Sequence, residues 1–319
     1  VGETVCPAPN SESHPNGSIV AVIPTYNRSS TLERAIRSVL TQTRPPDEVL
    51  VVDDGSTDRT RDLLGAFESV RVLSVENSGA AIARNRGVAA TDAPWIAFLD
   101  SDDYWETDHL ARIDAAIRAT DGRAGVYFDD TARPGGGKGE QSLFALSDLS
   151  FDGTHRLVDD ASDWVLRPRQ PMMLQASVFS RNSWNSVGGL WPTLRSRHDT
   201  HIFLRLGIKQ PMCAVAGTGC HMTDDDTSGN RQMDAMGTRS RGYWEHTVHL
   251  YSDVMSRHHD DLAQQDLADL RARLARGHLA LARHDIRRPA LLLGDLTRAF
   301  RADPATAVSP VRRRLGTQR

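Results

Sequence analysis

The chain has 319 residues, a formal net charge of −3, 39% hydrophobic and 25% charged residues, close to ordinary globular averages. That length bounds it to one large domain, or one and a half, with ample core, and the near-neutral charge excludes an electrostatic case for nucleic acid as partner. Cys6, Cys213 and Cys220 are odd in number and lack zinc-like pairing, so a reducing, cytoplasmic compartment is expected rather than a disulfide framework. No apolar run reaches ~18 residues, so neither a transmembrane helix nor a signal peptide is expected.

Residues 1–17, rich in Pro, Ser and Asn, read as a disordered lead-in. An apolar strand over 18–23 ends in Pro24-Thr25-Tyr26-Asn27-Arg28, and 31–41 places Leu32, Ala35, Ile36, Val39 and Leu40 at helical spacing. The next strand breaks into Asp53-Asp54-Gly55-Ser56-Thr57-Asp58. Ser56 or Thr57 is then expected to cap a helix running through Leu63, Leu64 and Phe67. A strand over 70–75, a helix over 80–89 and a strand over 94–99 follow, the last running into Asp100-Ser101-Asp102-Asp103. Strands alternating with helices argue for a parallel sheet in an α/β layer, with ligands at the carboxyl ends of the strands. Carboxylates packed as closely as Asp100, Asp102 and Asp103 repel each other unless a cation sits among them. Hard oxygen ligands suit Mg²⁺ or Mn²⁺, so a metal–nucleotide site is expected there.

The region 133–169 shows no clear periodicity, and Gly135-Gly136-Gly137 reads as a flexible connector. A strand over 176–181 precedes Val187-Gly188-Gly189-Leu190, and His198-Asp199 opens an amphipathic helix. Asp224-Asp225-Asp226 reads as a solvated loop. Helical spacing returns from 242 to 255, from 266 to 284 and from 290 to 300, in an arginine-rich end that includes Arg312-Arg313-Arg314. A solvated basic face is the expected role of that end. Peripheral contact with anionic lipid at the inner membrane face is the alternative.

Ile23-Pro24-Thr25-Tyr26-Asn27, Val51-Val52-Asp53-Asp54-Gly55-Ser56-Thr57-Asp58, Asn77-Ser78-Gly79 with Ala83-Arg84-Asn85-Arg86-Gly87, and Leu99-Asp100-Ser101-Asp102-Asp103 resemble the family-2 glycosyltransferases. They stand in that family's order and spacing over about the first third of the chain. The resemblance implies a GT-A fold, a Rossmann-like, mostly parallel sheet flanked by helices, over 18–240. Residues 18–105 would form the nucleotide-sugar half, 106–240 the acceptor half, and 241–319 an appended helical region.

It also implies roles. Tyr26 would lie by the nucleobase, with the backbone of Pro24 and Thr25 helping to hold it. Asp53 would accept a hydrogen bond from the base, which suits uracil or thymine. Asn77 would open a donor-binding loop, and Arg84 would lie near the diphosphate. Asp100 or Asp102 would contact the ribose and Asp102 the divalent cation, Mn²⁺ or Mg²⁺, with the division of labour among Asp100, Asp102 and Asp103 open. Asn27 and Thr57 read as turn and capping residues. Asp199 matches the general base of inverting members, with His198 where an acid usually stands. His221 is the candidate for a further metal contact, and 224–236 for a loop closing over the donor.

The expected activity is inverting transfer from a nucleotide-diphosphate sugar, UDP- or dTDP-linked, to a hydroxyl of a saccharide, lipid-linked or small-molecule acceptor. A nucleotidyltransferase of similar fold is the first alternative, although 24–27 supplies no glycine-rich loop for it. A non-catalytic sugar-nucleotide binding protein is the second, because His198 departs from the family pair.

Overall fold

Continuous β-branched runs such as Ile19–Thr25 are what a strand covered on both faces requires, and here that strand is buried along its whole length. The structure, a computed structural model, describes residues 17–135, 139–224 and 240–308. The lead-in up to residue 16, Gly136 and Gly137 of the connector, Asp225 and Asp226, the rest of the loop to 239, and Arg312–Arg314 lie outside the described residues. The chain divides into two compact units. One holds the residues up to Asp159, Pro171–Gly189 and 211–224; the other holds Asp160–Gln170, Leu190–Gln210 and 240–308.

In chain order the first unit contains β1 (Ile19–Thr25), α1 (Leu32–Leu40), β2 (Glu48–Asp53), α2 (Thr60–Leu64), β3 (Arg71–Ser74), α3 (Ala80–Ala89) and β4 (Trp95–Phe98). There follow β5 (Tyr104–Trp105), α4 (His109–Ala119), β6 (Val126–Pro134), β7 (Glu140–Ser142), α5 (Leu143–Leu146) and β8 (His155–Val158). In the second unit lie α6 (Ser162–Val165) and α8 (His198–Gly207), while β9 (Ser177–Ser180), α7 (Arg181–Ser186) and β10 (Met212–His221) return to the first. The sheet runs β3-β2-β1-β4-β9-β6-β10-β5, with β7 on β6 and β8 on β10.

β3, β2, β1 and β4 are parallel, as the alternating sequence predicts. Beyond β4 the sheet is mixed: β9 is antiparallel to both β4 and β6, and β10 is parallel to β6 but antiparallel to β5 and β8.

Alternation along β1 sends Ile19, Ala21 and Ile23 into a core shared with Leu32, Ile36 and Val39 of α1. The opposite face meets α3 through a glycine. A Cβ on Gly87 would stand 2.6 Å from Val22 Cγ1 and 3.0 Å from Val52 Cγ2, so the helix backbone rests directly on the sheet. Each fully buried Leu, Ile or Val here contributes about 1.5–3 kcal/mol.

Two differences from the predicted elements have physical causes. α2 begins at Thr60 rather than after Ser56 or Thr57. Ser56 N donates to Asp53 Oδ1, and Thr57 N and Asp58 N donate to Asn27 Oδ1, so these residues are committed to turns. α4 and β6 have no counterpart in the sequence reading. β6 carries buried Asp129, Asp130 and Thr131 in its centre, which disguises a core strand. His109 Nδ1 and Arg112 Nη2 meet Asp129 at 2.7 and 3.1 Å, and Phe144 N donates to Asp130 at 2.8 Å.

The second unit adds α9 (Arg241–Arg257), α10 (Gln264–His284) and α11 (Pro289–Ala302), as the helical spacing predicts. Leu250, Tyr251 and Val254 of α9 and Leu267, Leu270 and Leu281 of α10 are buried. Gly277 lets the two helices approach, since a Cβ there would lie 2.8 Å from Val248 Cγ2. Asp160–Gln170 and Leu190–Gln210 group with these helices in the second compact unit. Among the described residues, no helix is long and apolar enough to cross a membrane.

The α3 seat gives a direct test. Gly87→Val should destabilise the protein by roughly 1–3 kcal/mol through overpacking against Val22 and Val52, measured by denaturant unfolding. An unchanged midpoint would show that α3 has room to move off the sheet.

Candidate active site

Parallel strands place their carboxyl ends along one sheet edge, and β1, β2 and β4 deliver polar clusters there. Thr25 stands opposite Asp53 in the β1–β2 register, one residue after Pro24. Tyr26 beyond it is exposed, and the buried Thr25 hydroxyl has no hydrogen-bond partner among the described residues. Asn27, at φ 52°, holds the turn: its side chain accepts from Thr57 N at 2.8 Å and Asp58 N at 3.3 Å.

The two acids after β2 have different tasks. Asp53, expected to face a base, is fully buried; Oδ1 accepts from Ser56 N at 2.9 Å and Oδ2 from Arg61 Nε at 3.0 Å. The Arg61 side chain is itself largely exposed. Asp54, part of the motif but given no role by it, fixes the loop before α3. Its carboxylate accepts from Ser78 N at 2.9 Å, Ser78 Oγ at 3.1 Å and Gly79 N at 2.8 Å, while its carbonyl accepts from Asn77 Nδ2 at 3.0 Å. Asn77 is therefore a loop strut. Gly79 takes φ 95° at the start of α3, the left-handed region that favours glycine.

Asp100, Asp102 and Asp103 each offer a carboxylate oxygen, and these atoms lie within 4.8 Å of one another. Two guanidiniums balance them. Arg84, nearly buried on α3, bonds Asp100 Oδ1, and Arg28 Nη2 stands 3.6 Å from Asp102 Oδ2. Asp103 is held by neutral donors, Gln175 Nε2 at 3.1 Å and Thr223 N at 3.1 Å. Thr223 also donates through its hydroxyl to the Asp102 carbonyl at 2.6 Å, and Arg34 Nη2 donates to that carbonyl at 2.9 Å. Oxygen donors at this spacing suit a hard divalent cation. Arg28, Arg34, Gln175 and Thr223 were not legible as site residues, although Arg28 directly follows the Pro24–Asn27 motif.

His221 does not join the carboxylate cluster. Its Nδ1 meets Glu140 Oε1 at 2.9 Å and its Nε2 meets Glu106 Oε1 at 2.7 Å, and its ring stacks on Tyr104 at 4.8 Å. Both ring nitrogens are thus engaged by glutamates, against the metal-contact expectation. Burial opposes its charge, but the hydrogen bonds to Glu140 and Glu106 outweigh that and raise its pKa above 6.5.

The model of the family described as glycosyl transferase family 2 matches residues 20–162. Those residues form a family-2 glycosyl transferase domain. The chain is 44% identical over 100 residues to a putative teichuronic acid biosynthesis glycosyltransferase of Bacillus subtilis, covering 30% of this chain and 40% of that protein. It is 38% identical over 93 residues to the Escherichia coli UDP-Glc:alpha-D-GlcNAc-diphosphoundecaprenol beta-1,3-glucosyltransferase WfaP, covering 28% and 37%. The matches thus span about half or less of the curated relatives, 52% for an uncharacterised Nostoc glycosyltransferase. Among solved structures, S. aureus TarS in complex with UDP-GlcNAc superposes with a TM-score of 0.67 at 18% identity, over 91% of this chain and 82% of that one. The Pyrobaculum calidifontis mannosyltransferase in complex with GDP-Man and Mn²⁺ superposes at 0.55 and 19% identity, over 95% and 79%.

The family-2 match ends before Asp199, which lies in the second unit. Asp199 stands in the first turn of α8, and its Oδ1 accepts from Thr200 N at 2.7 Å. Before it, Arg197 takes φ 61° and donates to Thr247 Oγ1 at 3.1 Å and Tyr251 OH at 3.3 Å. His198 beside it is buried. One turn along, His201 Nε2 meets Asp253 at 2.8 Å; burial overrides that partner and depresses the His201 pKa to about 4.

The His221 bridge predicts a pH dependence. Its folded pKa is raised, so the protonated bridge contributes its full stability below about pH 6.5 and loses it as pH rises through the raised value. The difference in Tm between wild type and His221→Gln should be greatest on the acid side and shrink toward alkaline pH. A constant difference would show that the ring acts by packing alone.

Proposed function

We propose that this chain transfers a sugar from a nucleotide-diphosphate sugar to an acceptor hydroxyl with inversion, Asp199 acting as general base. The observation that carries the donor half of the reading is the Asp100/Asp102/Asp103 cluster at the end of β4, faced by Arg84 and Arg28. Such a mixture of acids and guanidiniums suits a diphosphate accompanied by its cation. Asp102, with Asp100 and Asp103 beside it, would hold Mn²⁺ or Mg²⁺, which when bound neutralises charge on the departing diphosphate. Arg84, paired with Asp100 in this structure, would turn to the diphosphate and share that load.

Tyr26 offers an exposed aromatic face for a base, and the buried Thr25 hydroxyl supplies an unsatisfied polar atom nearby in the chain. Asp53 would accept from the imide of uracil or thymine once Arg61 releases Oδ2. The UDP-GlcNAc complex of TarS and the UDP-glucose named for the E. coli relative support a uridine donor. The guanosine-sugar complex of the archaeal neighbour makes GDP the competing case. The lipid-diphosphate saccharide named for the E. coli relative supports a saccharide or lipid-linked acceptor.

Asp199 would remove the acceptor hydroxyl's proton as that oxygen attacks the anomeric carbon, in a single displacement. The sugar–phosphate bond breaks as the new bond forms, and the nucleoside diphosphate leaves with the electron pair.

Thermal shift with UDP, dTDP and GDP, each with Mn²⁺, Mg²⁺ or EDTA, tests the donor half. UDP or dTDP should raise Tm in a metal-dependent manner, and Asp102→Asn should abolish the metal-dependent part. A preference for GDP would overturn the base assignment, and no response to any nucleotide would overturn the transferase reading. With a donor in hand, Asp199→Asn should lower turnover by roughly 10²–10⁴-fold while sparing donor binding; undiminished turnover would remove Asp199 as base.

A further inference from the structure

A surface helix ordinarily turns its apolar side inward and its charges outward. α11 does the reverse. Of the seven large hydrophobic side chains exposed among the described residues, five lie between Ile286 and Phe300, so the exposed apolar surface is concentrated on one short stretch. Ile286 is 70% exposed, Leu293 67%, Phe300 53% and Leu296 42%. Leu293, Leu296 and Phe300 follow three- and four-residue spacing and share one face of the helix.

The acids of this stretch are on the inside. Asp295 is buried on α11 against His278 and Arg298, at 3.4 and 2.8 Å. Asp285, just before the helix, is buried against Arg241 and Arg288, at 3.3 and 3.7 Å. Arg283, Arg287, Arg288, Arg298 and Arg301 are exposed. With its carboxylates withdrawn, the charged side chains left among the exposed aliphatic and aromatic ones are arginines.

We propose that α11 and the Ile286 turn dock on an anionic lipid surface. Leu293, Leu296 and Phe300 enter the headgroup–acyl boundary, while the arginines pair with lipid phosphates, their stems lying along the apolar layer. A second copy of this chain fits less well, because a symmetric contact brings the same arginines face to face. The contact deepens the transferase reading by giving a lipid-linked acceptor a shared surface with the enzyme. Vesicle binding does not require transfer, so failure of either reading is separately visible.

Flotation of the full chain with vesicles of phosphatidylcholine alone, or doped with phosphatidylglycerol, tests it. Binding should require the anionic lipid. It should fall about tenfold or more in Leu293→Glu/Phe300→Glu, and about threefold in Arg287→Gln/Arg301→Gln. Because all four side chains are exposed, Tm should not change. If the glutamate variant proves unstable, the glutamine variant carries the test. Absence of binding to doped vesicles, or equal binding by the variants, overturns the proposal. So does a vesicle-free dimer that Leu293→Glu/Phe300→Glu dissolves while vesicle binding persists.

Discussion

Carboxylates gathered at the end of a buried strand repel one another, and the sheet edge of this domain is arranged around that repulsion. The solution is uneven. Asp103 is tied by the uncharged donors Gln175 and Thr223, whereas Asp100 and Asp102 face the guanidiniums of Arg84 and Arg28. The same asymmetry occurs two strands over, at the end of β2, where Asp54 anchors the 77–79 loop and Asp53 meets Arg61. In each group one acid is tied by uncharged or backbone donors, while another faces a guanidinium.

The parallel strands were legible because burial on both faces demands continuous apolar runs, and β1, β2 and β4 have them. α1 was legible for the complementary reason, a single apolar stripe. β6 was not, because Asp129 and Asp130 sit in its middle and become tolerable only through His109, Arg112 and the Phe144 amide. The helix expected to start at Ser56 lost its first turn to Asp53 and Asn27. The acidic trio was visible as a motif, but its supports were not: Gln175 lies 72 residues from Asp103 and Thr223 lies 120 away. Local patterning finds the clustered acids and overlooks the residues that hold them. His221, a chemically suggestive residue, meets Glu140 and Glu106 through its two ring nitrogens, partners that local patterning does not reveal.

The second unit obeys different rules. Its helices approach through Gly277 and bury Tyr251 and Leu270, while Arg197 is held in a left-handed conformation just before Asp199. That kink, fixed by Thr247 and Tyr251 of α9, sets where α8 begins and hence where the Asp199 carboxylate stands.

The Arg61–Asp53 pair has a kinetic consequence. Asp53 is wholly buried, with one oxygen committed to its own turn and the other to a solvent-exposed arginine that covers it from outside. If Asp53 receives the base as proposed, its capture is a gated event, in which the opening of an ion pair precedes recognition. Its observed rate would level off with rising ligand concentration at the frequency of that swing, and added salt would hasten the opening even as it weakens long-range attraction of the diphosphate.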